Sequence, residues 1–276
     1  MIKRILVGLA GTTYTPIAIQ RAIRLAQTHG AEVTGVTVLD VRRVRVVGGQ
    51  GIPPWDNSGA IHGRRIAIAE SYLTQSVREF ETECKEANVK YRIVEETGDA
   101  FTKLIELARY HDLMVFGLRS ILEYNFLVGD PETLLVRLVG AGVRPLIAVS
   151  EEFRKVSRVL IAYSGSMESA KAMKRFVQMQ LWPGVELKIV TFHPSDDVAN
   201  ELMRDAVDYC RAHGFNVCYQ SNPGDSKVLL LAAANLWQAD MIVMGNSARN
   251  VLLKKVLGDT LLETLRYTQI PLFLAQ

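Results

Sequence analysis

Short apolar runs alternate with longer amphipathic stretches from one end of the chain to the other. Arg4–Ala10 (RILVGLA) is a near-continuous apolar run of strand length, the pattern of a parallel strand covered on both faces. A turn rich in glycine, threonine and proline follows. Ile17, Ile19, Ala22, Ile23, Leu25 and Ala26 then mark a helix with a broad apolar stripe, which Gly30 closes at a left-handed cap. The alternation continues through a strand at Glu32–Leu39, a long helix at Gly63–Asn88, a strand at Val89–Glu96, a helix at Ala100–His111 and a buried strand at Leu113–Gly117. A helix opening on Asp130 and Pro131 and a final apolar run, Pro145–Val149, complete the unit.

The pattern then repeats. Arg4 aligns with Arg158, Gly11 with Gly165 and Glu32 with Glu186 at a constant offset of 154 residues. Later signals recur in the same order. GDAFTKLIELA at Gly98 answers GDSKVLLLAAA at Gly224, and DLMVFG at Asp112 answers DMIVMG at Asp240. GD at Gly129 answers GD at Gly258, and PLIAV at Pro145 answers PLFLA at Pro271. The chain therefore reads as two tandem α/β domains, 1–150 and 157–276. Each is expected to be a doubly wound five-stranded parallel sheet of strand order 3-2-1-4-5 with helices on both faces. The repeats differ after the second strand. The first carries a glycine- and proline-containing loop, Val41–Gly63, long enough to suggest a lid or partner contact, and the second has only the brief HPSDD.

Composition narrows the function classes. The 276 residues are 49% apolar and 22% charged, with a formal net charge of +3, which describes an ordinary globular protein with no demand for nucleic acid. No apolar run is long enough to span a bilayer, so neither membrane insertion nor a signal peptide is expected and the cytoplasm is the expected location. Cys84, Cys210 and Cys218 form no CxxC pair, and the five histidines are scattered, so no metal site is expected. GxxxxGK[ST] and GxSxG are absent and no catalytic set emerges. Asp99 and Asp225, after the third strands, read as caps of the following helices.

Candidate chemistry lies where the winding reverses, beyond the carboxyl ends of strands 1 and 4. In the first repeat this selects Gly8, Ala10, Gly11, Gly117, Ser120, Gly129 and Asp130. In the second it selects Ala162, Tyr163, Ser164, Gly165, Gly245, Ser247, Ala248, Gly258, Asp259 and Thr260. Glycines there admit close approach of backbone amides, and Gly129 and Gly258 each open a helix whose free N–H groups favour an anion.

On these motifs both halves resemble the universal stress protein family. In its nucleotide-binding members strand 4 leads to a glycine, two residues, a glycine, nine residues, then glycine and serine. The second repeat keeps the spacing as Gly245, Ala248, Gly258 and Asp259, while the first, with Gly117, Ser120, Gly129 and Asp130, is one residue short. The family's first-turn aspartate falls on Ala10 and Ser164. The substitutions share a direction. A carboxylate at Asp130 or Asp259 caps the helix itself and opposes a phosphate there, and two like charges roughly 4 Å apart cost about 1–4 kcal/mol. The resemblance thus implies a non-catalytic stress-response binding or regulatory module with degenerate nucleotide sites and no cofactor. ATP binding or weak ATPase activity in the second repeat is the alternative. It also implies pairing of the repeats through Pro145–Val149 and Pro271–Ala275, and a homodimer.

Overall fold

The computed structural model describes residues 2–39, 58–118, 138, 145–193, 195–245, 250–251, 254–255 and 259–275. The Val41–Gly63 loop, apart from the first turns of the helix that follows it, lies outside the described residues. The chain forms two compact units, Ile2–Ala141 and Gly142–Gln276.

In the first unit β1 (Arg4–Gly8), β2 (Glu32–Leu39), β3 (Tyr91–Thr97) and β4 (Leu113–Gly117) form a parallel sheet in the order β3-β2-β1-β4. The connecting helices are α1 (Thr15–His29), α2 (Ser58–Glu86) and α3 (Ala100–Ala108). The apolar alternation is explained by burial: Ile5, Leu6, Val7, Leu113, Met114 and Val115 are fully buried, as both faces of a crossover sheet must be. Gly30 ends α1 in the left-handed conformation, φ 62°, with its N–H donating to Ala26 O. Asp99 caps α3, its carboxylate accepting from Thr102 N at 2.9 Å. The second helix starts at Ser58, five residues before the sequence-based boundary, because nothing between Ser58 and Gly63 is a proline and a lone glycine does not stop a long helix.

The second unit repeats the winding with β6 (Arg158–Ala162), β7 (Glu186–Phe192), β8 (Asn216–Asn222), β9 (Met241–Gly245) and β12 (Leu272–Ala275), joined by α4 (Met167–Met179), α5 (Asp196–Ala212), α6 (Ser226–Leu236) and α7 (Asp259–Tyr267). All ladders among these strands are parallel, in the expected order 3-2-1-4-5. Leu146–Val149, β5, belongs to this unit too. It runs antiparallel along β12, with Leu272 opposite Ala148 and Leu274 opposite Leu146. In strand order the last apolar run of the first repeat is the fifth strand, β3-β2-β1-β4-β5, as the 3-2-1-4-5 expectation has it. All four of its residues are buried. Between β9 and β12 a small antiparallel ladder joins β10 (Asn250–Val251) to β11 (Lys254–Lys255).

One anchoring device appears twice. The carboxylate of Asp112, just before β4, accepts from the backbone N–H of Lys3 at 2.7 Å and of Arg4 at 3.0 Å. Asp240, just before β9, accepts from Ser157 N at 2.9 Å and Arg158 N at 2.8 Å. Each aspartate fixes the start of the first strand beside the fourth with two charge-assisted hydrogen bonds. Asp240→Ala is expected to destabilise the protein by about 1–3 kcal/mol, measured by urea unfolding, since two backbone donors lose their acceptor.

His111 offers a second test. Its Nδ1 donates to Leu107 O at 2.7 Å, leaving Nε2 to accept from the Thr34 hydroxyl at 3.0 Å. Burial holds its pKa below the ordinary 6.5. The unfolded chain therefore takes up this proton more readily than the native one, so the stabilisation is full above pH 6.5 and is lost as pH falls below it. Unfolding midpoints measured from pH 7.5 to 5.5 are expected to fall, and His111→Gln to flatten the part of the slope due to this residue.

Candidate functional site

In the second unit a cavity of about 120 Å³ opens beyond the carboxyl ends of β6 and β9. The two strands leave the sheet centre in opposite directions, β6 towards β7 and β9 towards β12, and the parting chains leave the space. Of the residues selected from sequence, Ala162, Tyr163, Ser164, Gly245 and Thr260 line it. Ser166, Ser169, Phe192, Ser226, Leu230, Met244 and Leu261 complete the lining. Among the described residues no lining residue is charged. The walls are apolar from Tyr163, Phe192, Leu230, Met244 and Leu261, and hydroxyl-bearing elsewhere.

The hydroxyls form two groups. Ser166 is the N-cap of α4, its side chain accepting from Ser169 N at 3.2 Å. The Ser164 hydroxyl stands 3.1 Å from that of Ser166 and 3.4 Å from that of Ser169, and Ser169 Oγ donates to Ser166 O at 2.9 Å. Across the cavity, the Ser226 and Thr260 hydroxyls are 2.8 Å apart and tie the first turns of α6 and α7. A second link lies beside them: Lys227 Nζ is 2.7 Å from Asp259 Oδ2. The hydrogen bond to Asp259, then its charge, raises the Lys227 pKa. Asp259, the first residue of α7, thus carries a local cation. The signal for Ser226 and Lys227 was present in sequence: both follow the capping Asp225 at the carboxyl end of β8, on the same rim as the glycine turns. Asp225 itself accepts from Lys227 N at 2.9 Å.

The glycines serve packing. Gly165 has φ 75° and Gly11 φ 69°, which only glycine adopts without strain. Both turn their Cα faces to a helix: a Cβ on Gly165 would overlap Leu202, and one on Gly11 would lie 2.8 Å from Tyr72 Cβ. A Cβ on Gly245 would overlap the carbonyl of Glu168 in the first turn of α4. Close helix-to-strand contact is what these positions require. Ser247, Ala248 and Gly258 lie outside the described residues.

The first unit differs at matching positions. Leu9, Ala10, Thr12 and Thr15 stand where the second unit has Tyr163, Ser164, Ser166 and Ser169, so two polar groups have become apolar. Leu9 and Thr15 are buried. Gly8 aligns with Ala162 and Phe116 with Met244. A Cβ on Gly8 would overlap the Phe116 ring, so the small residue and the large ring fit each other as Ala162 and Met244 do in the second unit. Gly117 is the buried last residue of β4. Ser120, Gly129 and Asp130 lie outside the described residues. Among the described residues no group of three or more histidine, cysteine, aspartate or glutamate side chains is placed to hold a metal, and no helix is long and apolar enough to cross a membrane.

Gly245→Ala tests the packing role. It is expected to lower stability by about 1–3 kcal/mol in urea unfolding, because the added methyl meets backbone rather than a side chain that can turn away.

The comparisons with known proteins agree with this architecture. The chain is 22% identical to Universal stress protein Slr1230 of Synechocystis sp., with 98% of each chain covered. Its fold matches the crystal structure of a universal stress protein from Archaeoglobus fulgidus with a TM-score of 0.69 at 18% identity, over 99% of this chain and 96% of that one. A structure from Pseudomonas aeruginosa PAO1 matches with a TM-score of 0.62 at 16% identity, over 99% of this chain and 92% of that one. The family model described as Universal stress protein family matches residues 1–130, and the second unit repeats the same winding.

Proposed function

We propose that the protein is a non-catalytic regulatory binding module whose ligand site is the cavity of the second unit, and that the first unit has become a packed structural partner. The observation that carries this reading is the lining of that cavity: neutral hydroxyls and apolar side chains, with no charged group among the described residues. At about 120 Å³ it is well under the roughly 300 Å³ at which pockets for drug-sized ligands begin. It suits a small neutral polar group, such as a sugar ring or the polar edge of a base, better than a whole nucleotide.

Triphosphate is disfavoured on two counts. Asp259 places a carboxylate at the start of α7, where a phosphate would otherwise meet free N–H groups. Lys227 Nζ is engaged by that carboxylate at 2.7 Å, so a phosphate that takes its counter-charge from Lys227 must win it from Asp259. The same ion pair is what supports the second reading, an ATP switch, since an exposed surface pair is worth no more than about 1 kcal/mol and can be broken. The domains of this reading are the repeats themselves, 1–150 and 157–276, and every described residue lining the cavity lies in the second.

Thermal shift with Mg-ATP and with adenosine, together with mass spectrometry of small molecules carried through purification, tests the reading. A ligand that binds only the native state raises apparent stability. The expected outcome is a larger shift with the nucleoside than with Mg-ATP at equal concentration. Asp259→Ser combined with Ala248→Gly is expected to raise the Mg-ATP shift to match or exceed it. A shift of several degrees with millimolar Mg-ATP in the unsubstituted protein would instead establish the ATP switch.

A further inference from the structure

The duplicated fold places two equivalent strands at outer positions. β3 pairs with β2 and β8 with β7, and among the described residues neither has a ladder on its other side. Such edges expose unpaired N–H and C=O groups and attract other strands unless they are guarded. β3 is guarded. It carries Arg92, Glu95 and Glu96, with Arg92 3.9 Å from Glu32 and Glu96 3.1 Å from Lys103.

β8 is not guarded. Asn216–Asn222 contains no charged residue, no proline and no glycine, and its ladder with β7 runs through seven consecutive pairs without a bulge. Its centre is open: Tyr219 is 51% exposed and Cys218 is exposed. The contact that reaches its backbone from the side is Arg211 Nη2 to Val217 O at 3.5 Å, at the limit of a hydrogen bond. The same chain thus supplies a charged edge and an uncharged one in matching places, and charge is the commonest means of keeping such an edge solvated.

We propose that β8 is an assembly edge and that its occupant is β8 of a second copy of this chain, laid antiparallel across a two-fold axis. Across a two-fold axis every contact occurs twice, i with j and j with i, so a single sequence must be compatible with its own reverse. β8 meets this. With Tyr219 on the axis, Val217 faces Ser221 of the other copy, Cys218 faces Gln220 and Asn216 faces Asn222, and no like charges meet. A partner of opposite charge has nothing on this strand to recognise, which favours self-pairing over a charged peptide.

Cys218 gives the readout. Cys84 and Cys210 are buried, with thiols pushed up to about 12 by burial, so a nitroxide reagent selects Cys218. Sedimentation equilibrium of the full chain from micromolar to millimolar concentration is expected to show a reversible monomer–dimer equilibrium. Tyr219→Lys with Gln220→Lys is expected to weaken it at least about tenfold, since like charges then face each other across the axis. Glu95→Lys with Glu96→Lys, which keeps β3 charged, is expected to leave it unchanged. In the dimer the two labels on Cys218 lie within about 20 Å, given the strand spacing and rise, and their spectra broaden by dipolar coupling. Tyr219 is exposed enough to accept lysine, and circular dichroism checks that the variant folds. A wild-type chain that remains monomeric throughout, a dimer indifferent to the lysines, or a dimer without dipolar broadening would each overturn the proposal.

Discussion

The second unit depends on holding β6 beside β9 at one end while letting their chains part at the other. At the entering end the carboxylate of Asp240 clamps Ser157 and Arg158. From there three residue pairs, Val159 with Met241, Leu160 with Ile242 and Ile161 with Val243, stay in parallel register. At the leaving end Ala162 leads into the turn before α4, while Gly245 leads away on the other side. A parallel ladder cannot close on itself there, because its neighbours lie in opposite directions. The space is a result of winding, and side chains then decide whether it is filled or open.

Those side chains are where the two repeats differ while keeping one fold. Buried apolar strands and glycine turns are common to both, and they set the backbone. The wall residues are not. Tyr163, Ser164, Ser166 and Ser169 keep hydroxyls at the first turn of the second unit, where the first has Leu9 and Ala10 beside its threonines. Hydroxyl pairs at 2.8–3.4 Å satisfy one another when no ligand is bound, so the open state need not leave buried polar groups unpaired.

The winding was legible in the chain because it rests on period and punctuation. Four to eight apolar residues between glycine-rich turns, repeated at a fixed offset, specify crossover strands with little ambiguity. Gly30 as a helix stop and Asp99 and Asp225 as caps were readable for the same reason: each acts on neighbours one turn away. Contacts made across the sheet were harder. That Gly245 backs onto Glu168 and that Lys227 holds Asp259 depends on residues dozens of positions apart, and neither has a local signature. The aspartates before β4 and β9 stood out as a repeated motif, yet their role needs the start of another strand to be visible. The antiparallel pairing of Leu146–Val149 with β12 likewise has no local signature, since covering a strand edge is a tertiary matter.

Phe116 and Gly8 on one side, Met244 and Ala162 on the other, carry a historical constraint. A methyl on Gly8 collides with the Phe116 ring, whereas the shorter, pliable methionine tolerates one. The two positions are therefore coupled: with the ring in place, any residue larger than glycine at position 8 requires the ring to move. Exchange of sequence between the halves, which otherwise keeps tandem copies alike, would have mismatched the pair whenever it moved one member without the other.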